Sequence, residues 1–298
     1  MTDYRQLAEQ LREIAQQIET GPQNKHEREL TMKPEWMLDI PFDEYNEARA
    51  QYLTSHALHD YSRCPAKYRH AQLHAAPRDT AAFAFGRAFH TMMEGPDVFA
   101  AQYTVADGPV NDATGEPFGN TTKSYKKWAA SITGMVVSTA EHARLRGMYA
   151  SVMQHGVVGE IMAAGETFAE ATIRADIYGV PCQCRPDLLV FESGGQTIVD
   201  WKKTRDLSRF RYDVRDYGYA AQMAFYANVI DYAGGNANDY AYIVAVEDEP
   251  PYVCGVFSAP LFAVQCDVRR AIERYAKSVK TNVWPTGYES IREVTYNG

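Results

Sequence analysis

Apolar residues recur at helical spacing in the first part of the chain. The first such segment covers residues 5–19 and is stopped by Gly21-Pro22. Its apolar positions are Leu7, Leu11, Ile14 and Ile18. A polar stretch follows, so we expect residues 1–35 to form a helical arm and a linker, and residues 36–298 to form the main domain. Residues 54–73 also predict a helix, in which Pro65 marks a break or a new first turn.

The spacing changes to that of extended chain in the second half. Three extended stretches, the first of which alternates between apolar and polar residues, are separated by turn residues, which predicts a meander of hairpins. They cover residues 167–177, 180–191 and 196–202, and two further strands are predicted over 239–246 and 252–258. The predicted helices of this domain cover residues 81–94, 124–164, 217–232 and 260–281, with a loop over 105–120. This order predicts an α/β fold with a mixed central β-sheet flanked by helices.

Composition excludes several classes of protein. The chain has 298 residues, of which 46% are hydrophobic and 23% charged, as in ordinary globular domains. The longest apolar runs are far short of the ~20 residues that a membrane span needs, and the polar N-terminus does not resemble a secretory signal. Five scattered cysteines indicate reduced thiols rather than a disulfide framework. We therefore expect a cytoplasmic protein with no membrane partner.

The formal net charge of −8 argues by itself against a nucleic-acid-binding protein. The basic residues are clustered, however, and aromatic residues lie between them. One cluster consists of Lys202, Lys203, Arg205, Arg209, Arg211 and Arg215, and a smaller one of Lys123, Lys126 and Lys127. Each is compatible with a solvated surface and equally with phosphate contacts beside stacking platforms. Net charge does not decide between them, because local fields determine where a polyanion docks.

The sharpest candidate for chemistry is Arg185-Pro186-Asp187, followed after twelve residues by Asp200-Trp201-Lys202. Side chains alternate across a strand, so Asp200 and Lys202 share one face and Trp201 takes the other. If the two strands pair, both carboxylates and the ammonium meet. Two carboxylates can hold Mg²⁺, which lowers the pKa of bound water and neutralises charge in the transition state. A lysine beside them can orient or deprotonate that water, or stabilise the developing charge. The alternative is a surface hairpin with an Asp–Lys pair.

Two further patterns flank this motif. Gly86 and His90 begin and end the helical segment Gly86-Arg87-Ala88-Phe89-His90, and Gln222 and Tyr226 lie four residues apart on a predicted helix, so they share a face. Each pattern alone is also compatible with ordinary packing. Together, GxxxH, PD, DxK and QxxxY in this order resemble the PD-(D/E)XK nuclease superfamily, especially its RecB/RecE-like branch of phage-type, exonuclease VIII-like exonucleases. The resemblance covers about residues 50–290 and includes Ser62-Arg63-Cys64-Pro65-Ala66-Lys67-Tyr68, which is similar to the opening helix of that branch.

The resemblance implies a restriction-endonuclease-like core and a role for each matching residue. The implied catalytic residues are Asp187, Asp200 and Lys202, and the implied metal ligands are His90, Asp187, Asp200 and the backbone carbonyl of Trp201. Glu170 occupies a position that is often acidic in the family, and it is expected to support the metal ligands without binding the metal itself. Glu166 is an alternative candidate for this role. The implied DNA contacts are Gln222 and Tyr226, to which charge adds Lys203, Arg205, Arg209 and Arg211.

Some relatives hold an iron–sulfur cluster with one early cysteine and three late ones. Cys64 stands at the early position, but only Cys254 and Cys266 follow the motif lysine. A cluster needs four thiolates within reach, so we expect none. Cys182 and Cys184 lack partners for a zinc site and are expected to pack in the interior.

The activity expected from the sequence is that of a Mg²⁺-dependent exodeoxyribonuclease, with Mn²⁺ as a substitute. The resemblance implies 5′→3′ degradation of double-stranded DNA ends in phage-type recombination, by a homo-oligomer that accompanies a single-strand annealing protein. One alternative is a structure-dependent or single-strand endonuclease of the same superfamily. Another, of a different class, is a non-catalytic DNA-binding scaffold.

Overall fold

The computed structural model describes residues 35–74 and 80–291. The arm expected over residues 1–35 lies outside the described residues, apart from Glu35. The strands are β1 (Met37–Leu38), β2 (Tyr103–Val105), β3 (Met135–Val137), β4 (Glu166–Ala169), β5 (Thr172–Ile177), β6 (Val180–Cys184), β7 (Leu188–Glu192), β8 (Gly195–Thr204), β9 (Ala237–Glu247) and β10 (Cys254–Pro260). The helices are α1 (Phe42–Glu47), α2 (Ser55–Arg63), α3 (Pro65–His74), α4 (Ala81–Glu94), α5 (Pro96–Gln102), α6 (Lys123–Ala129), α7 (Thr139–Met153), α8 (Gly156–Ala163), α9 (Phe210–Asp216), α10 (Tyr219–Ala233) and α11 (Phe262–Thr281).

A five-stranded sheet with the order β10-β9-β8-β7-β4 forms the centre. β8 and β9 run parallel and the other neighbours run antiparallel. A smaller sheet has the order β1-β5-β6, and β2 pairs with β3. The parallel pair needs a long crossover, which α9 and α10 provide. The mixed sheet with flanking helices confirms the predicted fold class.

Each face of the five-stranded sheet is covered by helices. On one face, Ile198 of β8 packs in a core with Met223 and Ile230 of α10. On the other face, Val199 and Trp201 pack in a second core with residues of α4 and α7. Alternate residues of one strand thus enter different cores, as strand geometry requires. Cys182 and Cys184 are buried in the first core.

Short polar residues fix the starts of the helices that carry the site. Thr54 caps α2 and Thr80 caps α4, each accepting a backbone N–H through its side chain. Pro65 begins α3, where its missing N–H costs no helical hydrogen bond. The predicted helix over residues 54–73, with its break or restart at Pro65, is therefore observed as α2 and α3.

The prediction of two long strands over residues 167–177 and 180–191 is wrong. The first is divided into β4 and β5 and the second into β6 and β7, because the ribbon passes from the five-stranded sheet to the smaller one. Glu170, at the first division, has a φ of 51°. Pro186, at the second, has no N–H for a ladder hydrogen bond. We call this double bend, residues 170–171 and 185–187, the joint between the sheets.

The prediction of continuous helix over residues 124–164 is also wrong. This region holds α6, the strand β3, and then α7 and α8. The first helix ends at Ala129, and Gly134, which directly precedes β3, has a φ of 86°. A Cβ at Gly134 would lie 2.7 Å from the carbonyl oxygen of Gln102. The chain then pairs as β3 with β2 before Ser138 and Glu141 form the capping box that begins α7.

Within the described ranges, no helix combines the length and the apolar character needed to cross a bilayer.

Candidate active site

The joint between the sheets brings the two halves of the predicted motif together. Leu188 of β7 pairs with Val199 of β8 in an antiparallel register. Asp187 and Asp200, one residue further along each segment, therefore lie opposite each other. The backbone N–H of Trp201 donates to Oδ2 of Asp187 at 2.7 Å. Asp187 thus lies at the bend before β7, and not within a strand as the sequence predicts, yet it still meets β8.

Asp200 and Lys202 form an ion pair on one face of β8. The side chain of Trp201 is buried on the opposite face, as alternation predicts. Burial raises the pKa of Asp200 to about 6, against the opposing effect of Lys202. Burial alone would lower the pKa of Lys202, but the charge of Asp200 and then that of Asp187 raise it. The lysine is therefore a cation at neutral pH.

His90 enters the site from the last turns of α4. Its Nδ1 atom lies 3.3 Å from Oδ1 of Asp187. Burial opposes ionisation of both groups, but their mutual attraction outweighs it, so the pKa of His90 is raised and that of Asp187 is lowered. The raised pKa of His90 thus favours an imidazolium paired with the Asp187 carboxylate.

Glu170 lies in the site itself, closer than the sequence indicates. One ligating atom each from His90, Glu170 and Asp187 lies within 4.8 Å of the other two. Burial, and then the charge of Asp187, raise the pKa of Glu170 to about 7. Glu166, the competing candidate, is exposed on β4. Strand alternation does not predict that Glu170 enters the site, because the position of its side chain depends on the bend between β4 and β5.

Arg185 holds Glu170 in this position. Its Nε donates to Oε2 of Glu170 at 2.7 Å. Its Nη1 donates to the carbonyl oxygen of Ile40 at 2.8 Å and to Oγ1 of Thr172 at 2.9 Å. In addition, the N–H of Glu170 donates to the carbonyl oxygen of Asp187 at 3.2 Å. These hydrogen bonds connect the two segments of the joint, residues 170–171 and 185–187.

These residues fit a divalent cation. Oδ1 of Asp200 is buried, and no hydrogen-bond donor contacts it within the described part of the chain. A buried carboxylate oxygen without a donor is costly, and a cation would compensate it. The carboxylates of Asp187, Asp200 and Glu170 offer the oxygen ligands that Mg²⁺ prefers, and the imidazole of His90 adds a nitrogen ligand that suits Mn²⁺ better. The Trp201 N–H lies at the site as a donor, and the expected role of its carbonyl stays a prediction.

Gln222 and Tyr226 share one face of α10, as their spacing predicts. Nε2 of Gln222 donates to the Tyr226 hydroxyl at 2.7 Å. Tyr226 is buried, which raises its pKa well above the ordinary value, so it stays a neutral phenol. Gln222 reaches the cleft beside Lys202, where it can contact substrate.

A cleft of about 1710 Å³ opens from the site. Its walls come from α2, α4, α11 and the start of α10, and its described lining includes six basic and three acidic side chains. The basic ones are Arg49, Arg63, Arg87, Lys202, Lys203 and Arg274. Arg205, Arg209 and Arg211 are exposed but do not belong to the described lining. Arg211 instead donates to the Tyr212 hydroxyl at 2.8 Å.

The sequence profile of a family described as "PDDEXK-like domain of unknown function (DUF3799)" matches residues 55–294. A crystal structure of an exonuclease candidate from Eubacterium rectale has a TM-score of 0.54 and 13% identity, covering 87% of this chain and 97% of that one. This likeness shows the fold alone. The crystal structure of a protein named SSO0001 has a TM-score of 0.30 and 10% identity over 49% of this chain and 61% of that one, which carries no argument. No curated protein matches significantly.

Proposed function

The chain belongs to the PDDEXK-like family DUF3799, and on this premise we propose that it is a divalent-metal-dependent exodeoxyribonuclease that degrades duplex DNA from its ends. The observation that carries the proposal is the convergence of Asp187, Asp200 and Lys202 with His90 and Glu170, of which His90 and Lys202 line an open, basic cleft. A cleft of this kind admits a polymeric phosphodiester to a donor set that fits Mg²⁺ or Mn²⁺.

A divalent cation held by Asp187, Asp200 and Glu170 would supply Lewis acidity and would lower the pKa of the attacking water. Lys202 carries a positive charge because Asp200 raises its pKa, so it stabilises the negative charge that develops on the phosphoryl group rather than acting as the base. Asp187 is oriented by the Trp201 N–H and by His90. Gln222 contacts the strand near the scissile phosphate.

The finer features of the proposal have separate supports. Attack from DNA ends is supported by the description of the Eubacterium rectale protein as an exonuclease candidate. The 5′→3′ polarity, the role in phage-type recombination and the single-strand annealing partner are supported by the resemblance to RecE-like exonucleases alone. The metal requirement is supported by the unsatisfied Oδ1 of Asp200.

The test is digestion of linear duplex DNA labelled at either its 5′ or its 3′ ends, beside covalently closed circles, with Mg²⁺. We expect mononucleotides from the linear DNA, earliest release of the 5′ label, and intact circles. Lys202→Met should be inactive in all reactions, which excludes a contaminating nuclease. Rapid nicking of the circles would favour the endonuclease alternative. A lack of cleavage together with a lack of metal binding would favour the non-catalytic scaffold.

We propose in addition that the enzyme works as a closed homo-oligomer. The net charge of −8 leaves a single copy with little basic surface for a duplex. Closed cyclic symmetry would turn the basic segments of several copies towards one channel and the acidic surface outwards. A single copy by light scattering at working concentration would contradict this proposal without affecting the nuclease assignment.

A further inference from the structure

We propose that the cleft binds a single unpaired DNA strand along α4, with Phe83 as a stacking platform for one base. This deepens the proposed nuclease function and rests on it. Phe83, Gly86 and His90 are three and four residues apart, so they lie on one face of α4, and all three line the cleft. The helix therefore presents a track that begins at an aromatic ring and ends at the metal site.

Phe83 is not used by the core. Its side chain is 59% exposed, whereas Phe85 and Phe89 of the same helix are buried. The Thr80 side chain accepts the Phe83 N–H at 3.3 Å, so the ring stands on a capped first helical turn. An exposed aromatic ring in the lining of the cleft is accessible to bases, and every nucleobase has a π-face that can stack on such a ring.

Gly86 keeps the middle of the track free. It lies inside α4, where glycine is less favourable than alanine. A Cβ at this position would meet only Cε of Lys203, at 4.0 Å, so packing within the described residues does not require glycine here. The missing side chain does leave the cleft open between Phe83 and His90. A DNA strand can approach the helix backbone closely only where such space is open.

Other exposed aromatic rings line the same cleft. Phe42 is 44% and Tyr217 64% exposed, and both line the same cleft. Tyr217 stacks on Tyr219 with ring centroids 5.7 Å apart, and Nζ of Lys202 lies 4.9 Å from the Tyr219 ring centroid. Exposed basic residues of the lining, such as Arg49 and Arg63, supply phosphate contacts between these rings.

This combination favours an unpaired strand over a duplex. Inside a duplex, the faces of each base are covered by the neighbouring pairs, so a protein meets phosphates and groove edges. A cleft with exposed rings is matched only by bases that are free to stack on them. Seven residues of helix separate Phe83 from His90 by about 10 Å, or about three nucleotides at the rise of stacked DNA. A duplex end must then separate over about this length before cleavage.

The test is binding of fluorescent oligo(dT) and of a closed duplex dumbbell, with Ca²⁺ in place of Mg²⁺. We expect Phe83→Ala to weaken oligo(dT) binding about tenfold and to leave dumbbell binding unchanged, because one base-stacking platform is lost. Phe83→Trp should retain the affinity of the wild type. Phe262→Ala is the matched control, since Phe262 is 75% exposed and lies outside the described lining of the cleft.

A second variant tests the track independently. Gly86→Leu should keep the thermal midpoint of the wild type, because space is open there, and should weaken oligo(dT) binding at least about tenfold by filling the groove. Unchanged oligo(dT) binding in both variants, or an equal loss on the dumbbell, would overturn the proposal. Selective loss of oligo(dT) binding by a protein that cleaves no DNA would support the strand track and refute the nuclease function, so the two can be separated.

Discussion

The backbone N–H of Trp201 donates to Oδ2 of Asp187 at 2.7 Å, and this one hydrogen bond joins the two halves of the predicted catalytic motif. The bond uses one carboxylate oxygen of Asp187 and leaves Oδ1 directed at His90. The orientation of Asp187 is therefore set by the backbone of β8, which also carries Asp200 and Lys202.

We expect Asp187→Asn, Asp200→Asn and Lys202→Met each to lower the cleavage rate by at least about a hundredfold, because each removes charge where the transition state develops it. The amide and methionine replacements keep the packing volume, but each leaves a buried partner charge without its counter-ion, which lowers stability. The measurement is the initial rate on linear duplex DNA, with circular dichroism as the control for folding. DNA affinity should persist, since other phosphate contacts supply most of it. Near-normal rates in any of the three would refute the assignment.

Glu170→Gln should weaken divalent metal binding by about ten- to a hundredfold, the effect typical of removing a group at or next to a metal. Glu166→Gln is the matched control, because Glu166 is exposed on β4 and is replaced by the same amide. Isothermal titration with Mn²⁺ measures both. Equal affinities in the two variants would show that Glu170 serves only as the partner of Arg185.

His90→Ala should lower both activity and metal affinity, and Mn²⁺ should be affected more than Mg²⁺ because imidazole suits Mn²⁺ better. His70→Ala provides the control, since His70 is an exposed histidine of α3. Titration of each variant with both metals gives the comparison. If His90→Ala binds metal like the wild type, the histidine only orients Asp187.

The metal-free protein should become less stable as the pH rises from about 5 to about 8. The folded-state pKa values of Asp200 (about 6), Glu170 (about 7) and His90 are raised, so the folded chain holds protons that the unfolded chain has released or is releasing. The free energy of unfolding then falls with pH by about 1.4 kcal/mol per pH unit for each extra proton. Asp187, whose pKa is lowered, stays ionised throughout this window.

Calorimetry with and without Mg²⁺ checks this dependence. A cation competes with these protons, so Mg²⁺ should raise the thermal midpoint more at pH 8 than at pH 5.5, by the linkage between binding and folding. A metal-free midpoint that rises steadily over the same window would contradict the assigned protonation of the site.

Replacing Arg205, Arg209 and Arg211 together by alanine should weaken duplex DNA binding and reduce its salt dependence. Three lost phosphate contacts lower the slope of log affinity against log salt by about 2.7. The matched control replaces Lys123, Lys126 and Lys127 of α6, the other basic cluster. An unchanged slope in the arginine variant would show that these side chains only solvate the surface.

Much of the site could be predicted because its chemistry lies on one hairpin. Strand alternation placed Asp200 and Lys202 on one face and Trp201 on the other, and helical spacing placed Gln222 beside Tyr226. These relations are local, so residue periodicity is enough to establish them. The roles of the same residues in catalysis stay predictions.

The role of the joint could not be predicted in this way. Alternation looks the same in a strand that stays in one sheet and in one that passes into another, so the pattern of residues 167–177 predicts one strand. The φ of 51° at Glu170 is a consequence of tertiary packing, and only Pro186 gave a sequence signal for the bend. In residues 124–164, by contrast, Gly134 and the capping box of Ser138 and Glu141 were signals that could have divided the helix.

The joint would also give a bound cation a mechanical role. Glu170 and Asp187 stand where the smaller sheet turns away, whereas Asp200 belongs to the five-stranded sheet. An ion held by all three would act as a clasp that fixes the angle between the sheets. Metal binding would then make β5 and β6 more rigid, although neither strand contributes one of these ligands, and the rigidity of the smaller sheet would report whether the site holds a cation.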